Sequence, residues 1–242
     1  MRIPACSLLV LLMAAGSWAE TYFIPAAAHA EGAGGTRWRT EAVFVNPGTN
    51  PVCADLFFLE AGRDNGAAKP HALEFPSGRC VTISDLVGAW FAAPGKAGAV
   101  RVEADGALAI TTRTFNDLGE AGTYGQGIPG IAIAGLPTGS GAYLPGPLFS
   151  NESFRTNLGL VNASAGPIAV ALRLSWGSGR EEVVRSFDLR PYEYIQWNDP
   201  FRQLAGGPVE DGTVSVEPGE GPGAGVAWAS VVDNRTGDPA FY

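Results

Sequence analysis

The sequence predicts an all-β fold made of two tandem antiparallel β-sandwich domains of immunoglobulin-like size. Three observations predict it. A series of strand-like segments recurs in the same order in both halves of the chain, and these segments alternate apolar with polar residues. Glycine (33 residues) and proline (18 residues) are frequent, and 17% of the residues are charged. This composition is typical of many short strands joined by tight turns.

The internal duplication is clearest at one strand and the turn after it. Residues 38–46 (WRTEAVFVN) match residues 154–162 (FRTNLGLVN), and a turn containing proline follows both. Three more pairs keep the same order: 52–58 with 168–174, 80–85 with 194–199, and 98–103 with 212–217. The order holds through a whole domain, so we interpret the two halves as copies of one unit.

Alternation gives the matched strands an inward and an outward face. The predicted inward residues of one strand pair are Val52, Ala54, Leu56 and Phe58 in the first copy, and Ile168, Val170, Leu172 and Leu174 in the second. Asp55 and Arg173 have the opposite parity and should face water. Each copy yields about seven strands, a number that suits an immunoglobulin-like sandwich. The pattern leaves other sandwich topologies, such as a jelly roll, open.

Residues 1–19 have the pattern of a secretory signal peptide. Arg2 is followed by a short apolar run over residues 7–15, and Ser17-Trp18-Ala19 places small residues before a cut at Glu20. A buried first strand or an uncleaved anchor is the alternative. We expect a secreted or periplasmic protein without a membrane span after cleavage.

The remaining chain divides into three parts. Residues 20–117 form the first predicted domain and 142–242 the second, and a Gly/Pro-rich connecting segment covers 118–141. Within that segment, Ile128, Ile131 and Ile133 suggest that part of it packs against a domain.

The net charge argues against two classes of partner. It is −8 for the whole chain and becomes −9 without residues 1–19, which contain Arg2 and no acid. An acidic protein is repelled by nucleic acid and by anionic lipid. The partners we expect are another extracytoplasmic protein or a glycan.

Two cysteines remain after cleavage, and both belong to the first copy. Cys53 and Cys80 share the outward parity on their strands, while the second copy has Ala169 and Tyr194 at these positions. Because exported proteins form disulfides and outward residues on neighbouring strands come within reach, we predict a Cys53–Cys80 bridge. Two thiols without a bridge are the alternative.

No motif of catalysis, cofactor binding or metal binding emerges. The Gly-x-Ser-x-Gly elbow is missing, and the two histidines, His29 and His71, lack counterparts in the second copy. The loop from Asp233 to Asp238 has carboxylates but not the full spacing of a calcium loop. We therefore predict no catalytic residue, no cofactor and no metal site.

The candidate binding surface lies in the second copy. Tyr192, Tyr194 and Gln196 share the outward parity of one strand, and Arg173 is expected on the same face of a nearby strand. Tyrosine rings with amide and guanidinium donors suit a sugar or a peptide. The alternative is an outer face shielded by the other domain or by residues 118–141.

The repeated Arg39-Thr40 and Arg155-Thr156 pairs have a structural interpretation. We expect the arginines to cover an end of the sandwich, with Asp117 and Asp233 or Asn234 as partners.

The Trp38-Arg39-Thr40 strand ending at Asn46-Pro47, together with the segment from Val231 to Pro239, resembles the tandem β-sandwich repeats of uncharacterised secreted bacterial proteins. The resemblance implies duplication and export but no activity.

We therefore predict a noncatalytic extracytoplasmic module for binding, adhesion or assembly. A secreted hydrolase with carboxylates assembled through space is one alternative. An outer-membrane-associated protein, suggested by Phe241-Tyr242, is another, although Asp55, Arg173 and Gln196 interrupt the apolar bands it would need.

Overall fold

The computed structural model describes residues 20–133, 141–219 and 223–242, and it confirms the all-β fold. The predicted signal peptide, residues 1–19, lies outside the described residues. All pairing between strands is antiparallel in the described ranges, apart from one isolated bridge. Within those ranges no helix is long and apolar enough to cross a membrane.

The first copy contains nine strands in the described ranges. They are β1 (Glu20–Glu31), β2 (Arg37–Val45), β3 (Val52–Glu60), β4 (His71–Phe75), β5 (Cys80–Ile83), β6 (Lys96–Ala104), β7 (Ala109–Asp117), β8 (Thr123–Pro129) and β9 (Ile131–Ala132). Short 3-10 turns cover Ala33–Gly35 and Gly119–Ala121, and a π-helical turn covers Leu86–Trp90.

The second copy repeats the series. Its elements are β10 (Ala142–Ser150), β11 (Phe154–Asn162), β12 (Ile168–Trp176), β13 (Glu181–Leu189), β14 (Tyr194–Asn198), α1 (Pro200–Leu204), β15 (Val209–Pro218), β16 (Gly225–Asp233) and β17 (Pro239–Phe241).

The strand orders of the two copies correspond position by position. In the second copy, one sheet has the order β13-β12-β15-β10 and the other β14-β11-β16-β17. In the first copy, β4-β3-β6-β1 and β5-β2-β7-β8 occupy the same places, but β1 continues past β6 and also pairs with β2. That long strand joins the two halves of the first sandwich into one sheet.

The connecting segment contributes structure to the first copy. Strands β8 and β9 both lie within residues 118–141; β8 pairs with β7, and β9 pairs with β1. Ile128 is fully buried, and Ile131 and Ile133 pack against the core, as predicted.

The predicted inward positions are buried in both copies, except that Phe58 and Ile168 are half-buried. Val52, Ala54 and Leu56 are buried, but Phe58 is half-buried against Phe91. Its outward neighbour Phe57 is the more buried ring, because the Arg101 guanidinium lies 4.0 Å above its centre. Arg101 belongs to the same copy, and its other side contacts Tyr192 of the second copy.

A buried asparagine anchors the same turn in each copy. Asn46 and Asn162 are fully buried. Each side chain accepts from the backbone N–H two residues later and donates to the carbonyl four residues later. Each also donates to a distant carbonyl, that of Phe75 at 2.9 Å or that of Arg190 at 2.8 Å. The repeated asparagine therefore ties the turn between two unpaired consecutive strands to the end of another strand.

The repeated threonines are also buried and also bridge strands. Thr40 accepts from the Ala28 N–H and shares a hydrogen bond with Thr114 Oγ1, both at 2.8 Å. Thr156 accepts from the Phe149 N–H and donates to the carbonyl of the same residue. The duplication thus preserves a hydrogen bond from β2 to β1, and from β11 to β10.

Two helical turns, Leu86–Trp90 and α1, begin in different ways. The Asp85 carboxylate accepts from the Gly88 N–H and caps the π-helical turn. Asp199 precedes α1 but makes no side-chain cap, and its φ of 45° is left-handed. Pro200 occupies the first turn, as its fixed φ favours.

The predicted disulfide between Cys53 and Cys80 is wrong. The two residues are not bonded to each other, and both are exposed. Cys53 lies on β3, whose neighbours are β4 and β6, whereas Cys80 begins β5, which pairs with β2. Their shared outward parity therefore belongs to strands in opposite halves of the first sandwich and does not bring the thiols together.

The two copies are joined by a compact set of contacts. The Gly62 N–H donates to the Tyr194 carbonyl at 2.8 Å, and the buried Asn65 side chain donates to the Tyr192 carbonyl at 3.0 Å. Arg190 Nη2 donates in return to the Gly62 carbonyl at 2.7 Å. These bonds fix the turn before β14 against the first copy.

Packing continues across the same junction. The Arg101 guanidinium lies between two rings, 4.0 Å from the centre of Phe57 and 3.9 Å from that of Tyr192. Val161 and Val226 of the second copy belong to the buried cluster of the first, while most inward residues of the second copy form their own core. The hydrophobic core of the first copy therefore extends across the junction and includes residues of the second copy.

We expect Asn162→Ala to lower the free energy of unfolding by about 2–4 kcal/mol, because each buried polar group left without a partner costs about 1–3 kcal/mol. Urea unfolding followed by circular dichroism measures it. Asn50→Ala, an exposed asparagine in the equivalent turn of the first copy, should stay within about 0.5 kcal/mol of wild type. A similarly small effect for Asn162→Ala would contradict the anchoring role.

The junction should weaken in acid through Glu193. Hydrogen bonds from the Arg190 side chain, aided by its backbone N–H, hold the pKa of the Glu193 carboxyl below its ordinary value of 4.5 despite burial. A lowered folded-state pKa stabilises the protein above the unfolded-state value, and this contribution is lost as pH falls through the folded-state pKa.

Unfolding measured from pH 6 to pH 3 should therefore show a smaller acid-induced loss of stability in Glu193→Gln than in wild type. Glu120→Gln, at an exposed residue, is the matched control and should follow the wild-type curve. Identical curves for Glu193→Gln and wild type would exclude this linkage.

Candidate functional site

The outer face of the sheet β14-β11-β16-β17 is covered by the first copy. Outward residues on its paired strands form a row of rings: Tyr194 stacks on Trp228 with centres 6.4 Å apart, and Trp228 stacks on Phe241 at 5.9 Å. Gly159 faces Trp228 on β11, and its missing side chain leaves room for the indole. Tyr194 and Trp228 are buried, as outward residues rarely are in an isolated sandwich.

A cavity of about 310 Å³ lies between this face and the first copy. We call it the cleft. One wall is rich in alanine from β1 and β6: Ala26, Ala27, Ala28, Ala30 and Ala97. The facing wall carries polar side chains of the second copy: Arg155, Asn157, Gln196, Asn198 and Ser230. Thr114, Gln126 and Glu31 of the first copy add polar groups to the lining, and Trp38 adds an indole ring.

A chain of hydrogen bonds runs along β14 into the cleft. The Tyr194 hydroxyl donates to Gln196 Oε1 at 2.9 Å, and Gln196 Nε2 donates to Asn198 Oδ1 at 2.6 Å. Burial raises the pKa of the Tyr194 phenol far above its ordinary value, so the hydroxyl stays protonated and remains a donor. Gln196 and Asn198 are exposed, and they mark the side where the cleft opens to solvent.

The deeper part of the cleft contains buried donors. Ser230 donates to Gln126 Oε1 at 2.8 Å and links the copies. The Trp228 indole Nε1 is buried and has no hydrogen-bond partner in the described part of the protein. An indole N–H can only donate, so this group needs an acceptor that the described protein residues do not provide.

Arg155 is the one cationic side chain among the described residues of the lining. Its Nη1 donates to Asn234 Oδ1 at 2.8 Å, which is one of the partners predicted for it. Burial lowers the pKa of this guanidinium, and the charge of Asp199 acts against that effect. The side chain therefore does more than cover the end of the sandwich, because it also reaches the cleft.

The residues predicted to form one binding surface lie at different places in the structure. Tyr194 and Gln196 line the cleft, but Tyr194 is only 2% exposed. Tyr192 precedes β14 in a turn with φ of 51°, and its ring packs on Arg101 at the junction. The shielding of this face by the other domain, given above as the alternative, is what the structure shows.

The predicted position of Arg173 is wrong. It lies on β12, in the opposite sheet from Tyr194, because β12 pairs with β13 and β15. Its Nε donates to Glu217 Oε1 at 2.8 Å, and its Nη1 pairs with Glu182. Arg173 is therefore part of an ion-pair group on another surface.

Two further features lie in the first copy. His29 Nδ1 is 2.8 Å from Asp85 Oδ2, a pairing that no sequence spacing indicated. A second cavity of about 280 Å³ adjoins Phe58, His71 and Phe91, but Glu60 at its edge is already paired with Lys96 and Arg63. In the described ranges, no group of three or more His, Cys, Asp or Glu side chains is arranged to hold a metal ion.

No protein-family model matches the chain, and no curated protein matches it. Among solved structures, Thermotoga maritima 1070 is similar with a TM-score of 0.37 and 13% identity, over 46% of this chain and 92% of that chain. β-Glucuronidase 2 of Bacteroides uniformis, covalently bound to cyclophellitol-6-carboxylate aziridine, has a TM-score of 0.20 and 10% identity over 84% of this chain. The match spans 24% of that enzyme's length. Similarity this distant carries no argument about function.

We expect Gly159→Ala to disturb the row of rings. A Cβ there would lie 2.1 Å from Cε2 and 2.2 Å from Nε1 of Trp228, so the indole must move. Overpacking of this kind costs about 1–3 kcal/mol. Urea unfolding and the tryptophan emission spectrum measure the two effects. Gly127→Ala on β8, where a Cβ meets nothing within 4 Å, should change neither; an unchanged Gly159→Ala would contradict the packing described.

Proposed function

We propose that this protein is a noncatalytic extracytoplasmic binding module that holds a saccharide unit in the cleft between its two copies. The observation that carries the proposal is that apolar and polar side chains meet in the cleft. Five alanines line the first-copy side, and three amides with Arg155 line the second-copy side beside the rings of Tyr194 and Trp228. The signal-peptide pattern of residues 1–19 supports the extracytoplasmic placement.

This mixture of apolar and polar lining suits the chemistry of a sugar ring. A pyranose presents C–H groups on its faces and hydroxyl groups around its edge. Small alanine side chains leave room for a flat ring against one wall, and the amides of Asn157, Gln196 and Asn198 can exchange hydrogen bonds with hydroxyls. The volume of the cleft is at the lower end of the roughly 300–1,000 Å³ typical of ligand pockets.

The number of carboxylates in the described lining favours recognition of a saccharide over its hydrolysis. The described lining contains one carboxylate, that of Glu31, which is exposed at the first-copy side. Glycoside hydrolysis by the usual mechanism requires a pair of carboxyl groups on either side of the scissile bond. The donors of the cleft can position a sugar without such a pair.

Binding should depend on Asn198. A glycan array probed with the labelled protein should give a saturable signal, and Asn198→Ala should weaken binding of the best glycan about 3- to 10-fold, the effect of one lost hydrogen bond. Isothermal titration calorimetry measures it. Asn50→Ala, an exposed asparagine of the first copy, is the matched control and should bind as wild type does.

Two results would contradict the proposal. One is an array without a saturable signal for folded wild-type protein. The other is an Asn198→Ala variant with unchanged affinity, which would place the glycan elsewhere on the surface.

A further inference from the structure

We infer that the cleft selects saccharides carrying an oxyanion, either a carboxylate or a sulfate, and that Arg155 contacts this group. The inference rests on the proposed function, because it concerns the ligand of the same cleft. It is argued from the hydrogen-bond donors that the described residues leave without partners and from the surroundings of Arg155.

Arg155, Asn157 and Asn198 are neighbours by strand register. Arg155 and Asn157 occupy successive outward positions of β11, and Asn198 lies opposite Asn157 on β14. The oxygen of each amide is already engaged: Asn157 Oδ1 accepts from the Asp199 N–H, and Asn198 Oδ1 accepts from Gln196. Within the described residues, the amide nitrogens of both make no hydrogen bond. This end of the cleft therefore presents N–H donors.

Arg155, the cation among these donors, has no ion-pair partner in the described ranges. In the described ranges, no carboxylate lies within ion-pair distance of Arg155, although eight other basic side chains have one. Its single side-chain bond, to Asn234, leaves most of the guanidinium donors open. A half-buried guanidinium gains more from an oxyanion than from a neutral hydroxyl, because charge-assisted bonds are about twice as strong.

Acids around the cleft fix where the oxyanion lies. Glu31 lines the first-copy side, and the negative charge of Asp199 acts on Arg155 from beside α1. Glu31 repels an anion from the first-copy side, whereas the Asp199 carboxylate is paired with Arg202 at 3.1 Å. The oxyanion is therefore expected in the fork of Arg155, between the amides of Asn157 and Asn198, and the ring hydroxyls extend toward the buried Trp228 N–H.

The test compares sugars that differ at one group. Glucose, glucuronate and glucose 6-sulfate, with the corresponding galactose series, are titrated by calorimetry and by ligand-observed NMR. The proteins are wild type, Arg155→Gln, Arg155→Lys and the control Arg185→Gln, which changes an exposed arginine on β13. Thermal unfolding establishes that each variant is folded.

In wild type and in Arg185→Gln, at least one acidic sugar should bind about tenfold more tightly than its neutral counterpart. Arg155→Gln should reduce this preference to less than about threefold, because it weakens the acidic sugar more than the neutral one, and Arg155→Lys should retain part of the preference because the charge remains. Added salt should weaken the acidic sugar selectively. The acidic sugar that shows the preference identifies the group, as a carboxylate if it is the uronate and as a sulfate if it is the 6-sulfate.

The outcomes separate this inference from the proposed function. Equal affinity of wild type for neutral and acidic sugars, or a preference that survives in Arg155→Gln, would overturn the inference and leave saccharide binding intact. Failure of folded wild type to bind any sugar of either series would overturn both.

Discussion

The sheet β14-β11-β16-β17 is covered on both faces, and the arrangement of the second copy around it depends on that constraint. A sandwich sheet normally buries one face and hydrates the other, so its strands alternate apolar with polar residues. Here the inner face packs against the second copy's own core, and the outer face packs against the first copy. Outward positions must therefore pack as well, which explains the stacked rings of Tyr194 and Trp228 above Gly159.

When the first copy covers the outer face of this sheet, it also encloses the polar side chains that point outward in the alternating pattern. The junction satisfies some of them with partners from the first copy, as Ser230 does with Gln126. Others keep donors without a partner in the described protein, as the Trp228 indole does. Leaving a buried polar group unsatisfied costs about 1–3 kcal/mol. A protein can keep an unsatisfied buried donor more readily where a ligand forms the missing hydrogen bond. This links the covering of both faces of the sheet to the proposed binding site.

Sequence reasoning was strongest where a rule acts within one strand. Alternation identified Ala54 and Leu56 as core, and repetition identified the Arg155 partner Asn234. It failed where two strands had to be placed relative to each other. Outward parity is a property of one strand and does not say in which sheet that strand lies. The Cys53–Cys80 bridge and the grouping of Arg173 with Tyr194 fail for that one reason.

The cleft itself was missed, although the two copies carry a signal for it. At equivalent outward positions the first copy has Val43, Thr111 and Cys80 and the second has Gly159, Trp228 and Tyr194, as the two registers show. Thr111 and Cys80 are exposed, whereas Trp228 and Tyr194 are buried. A glycine opposite a tryptophan at positions expected to face water indicates a covered surface. The two copies thus have the same pattern of core residues and the same buried asparagine. They differ on the outer face of one sheet, which in the second copy is covered by the first copy.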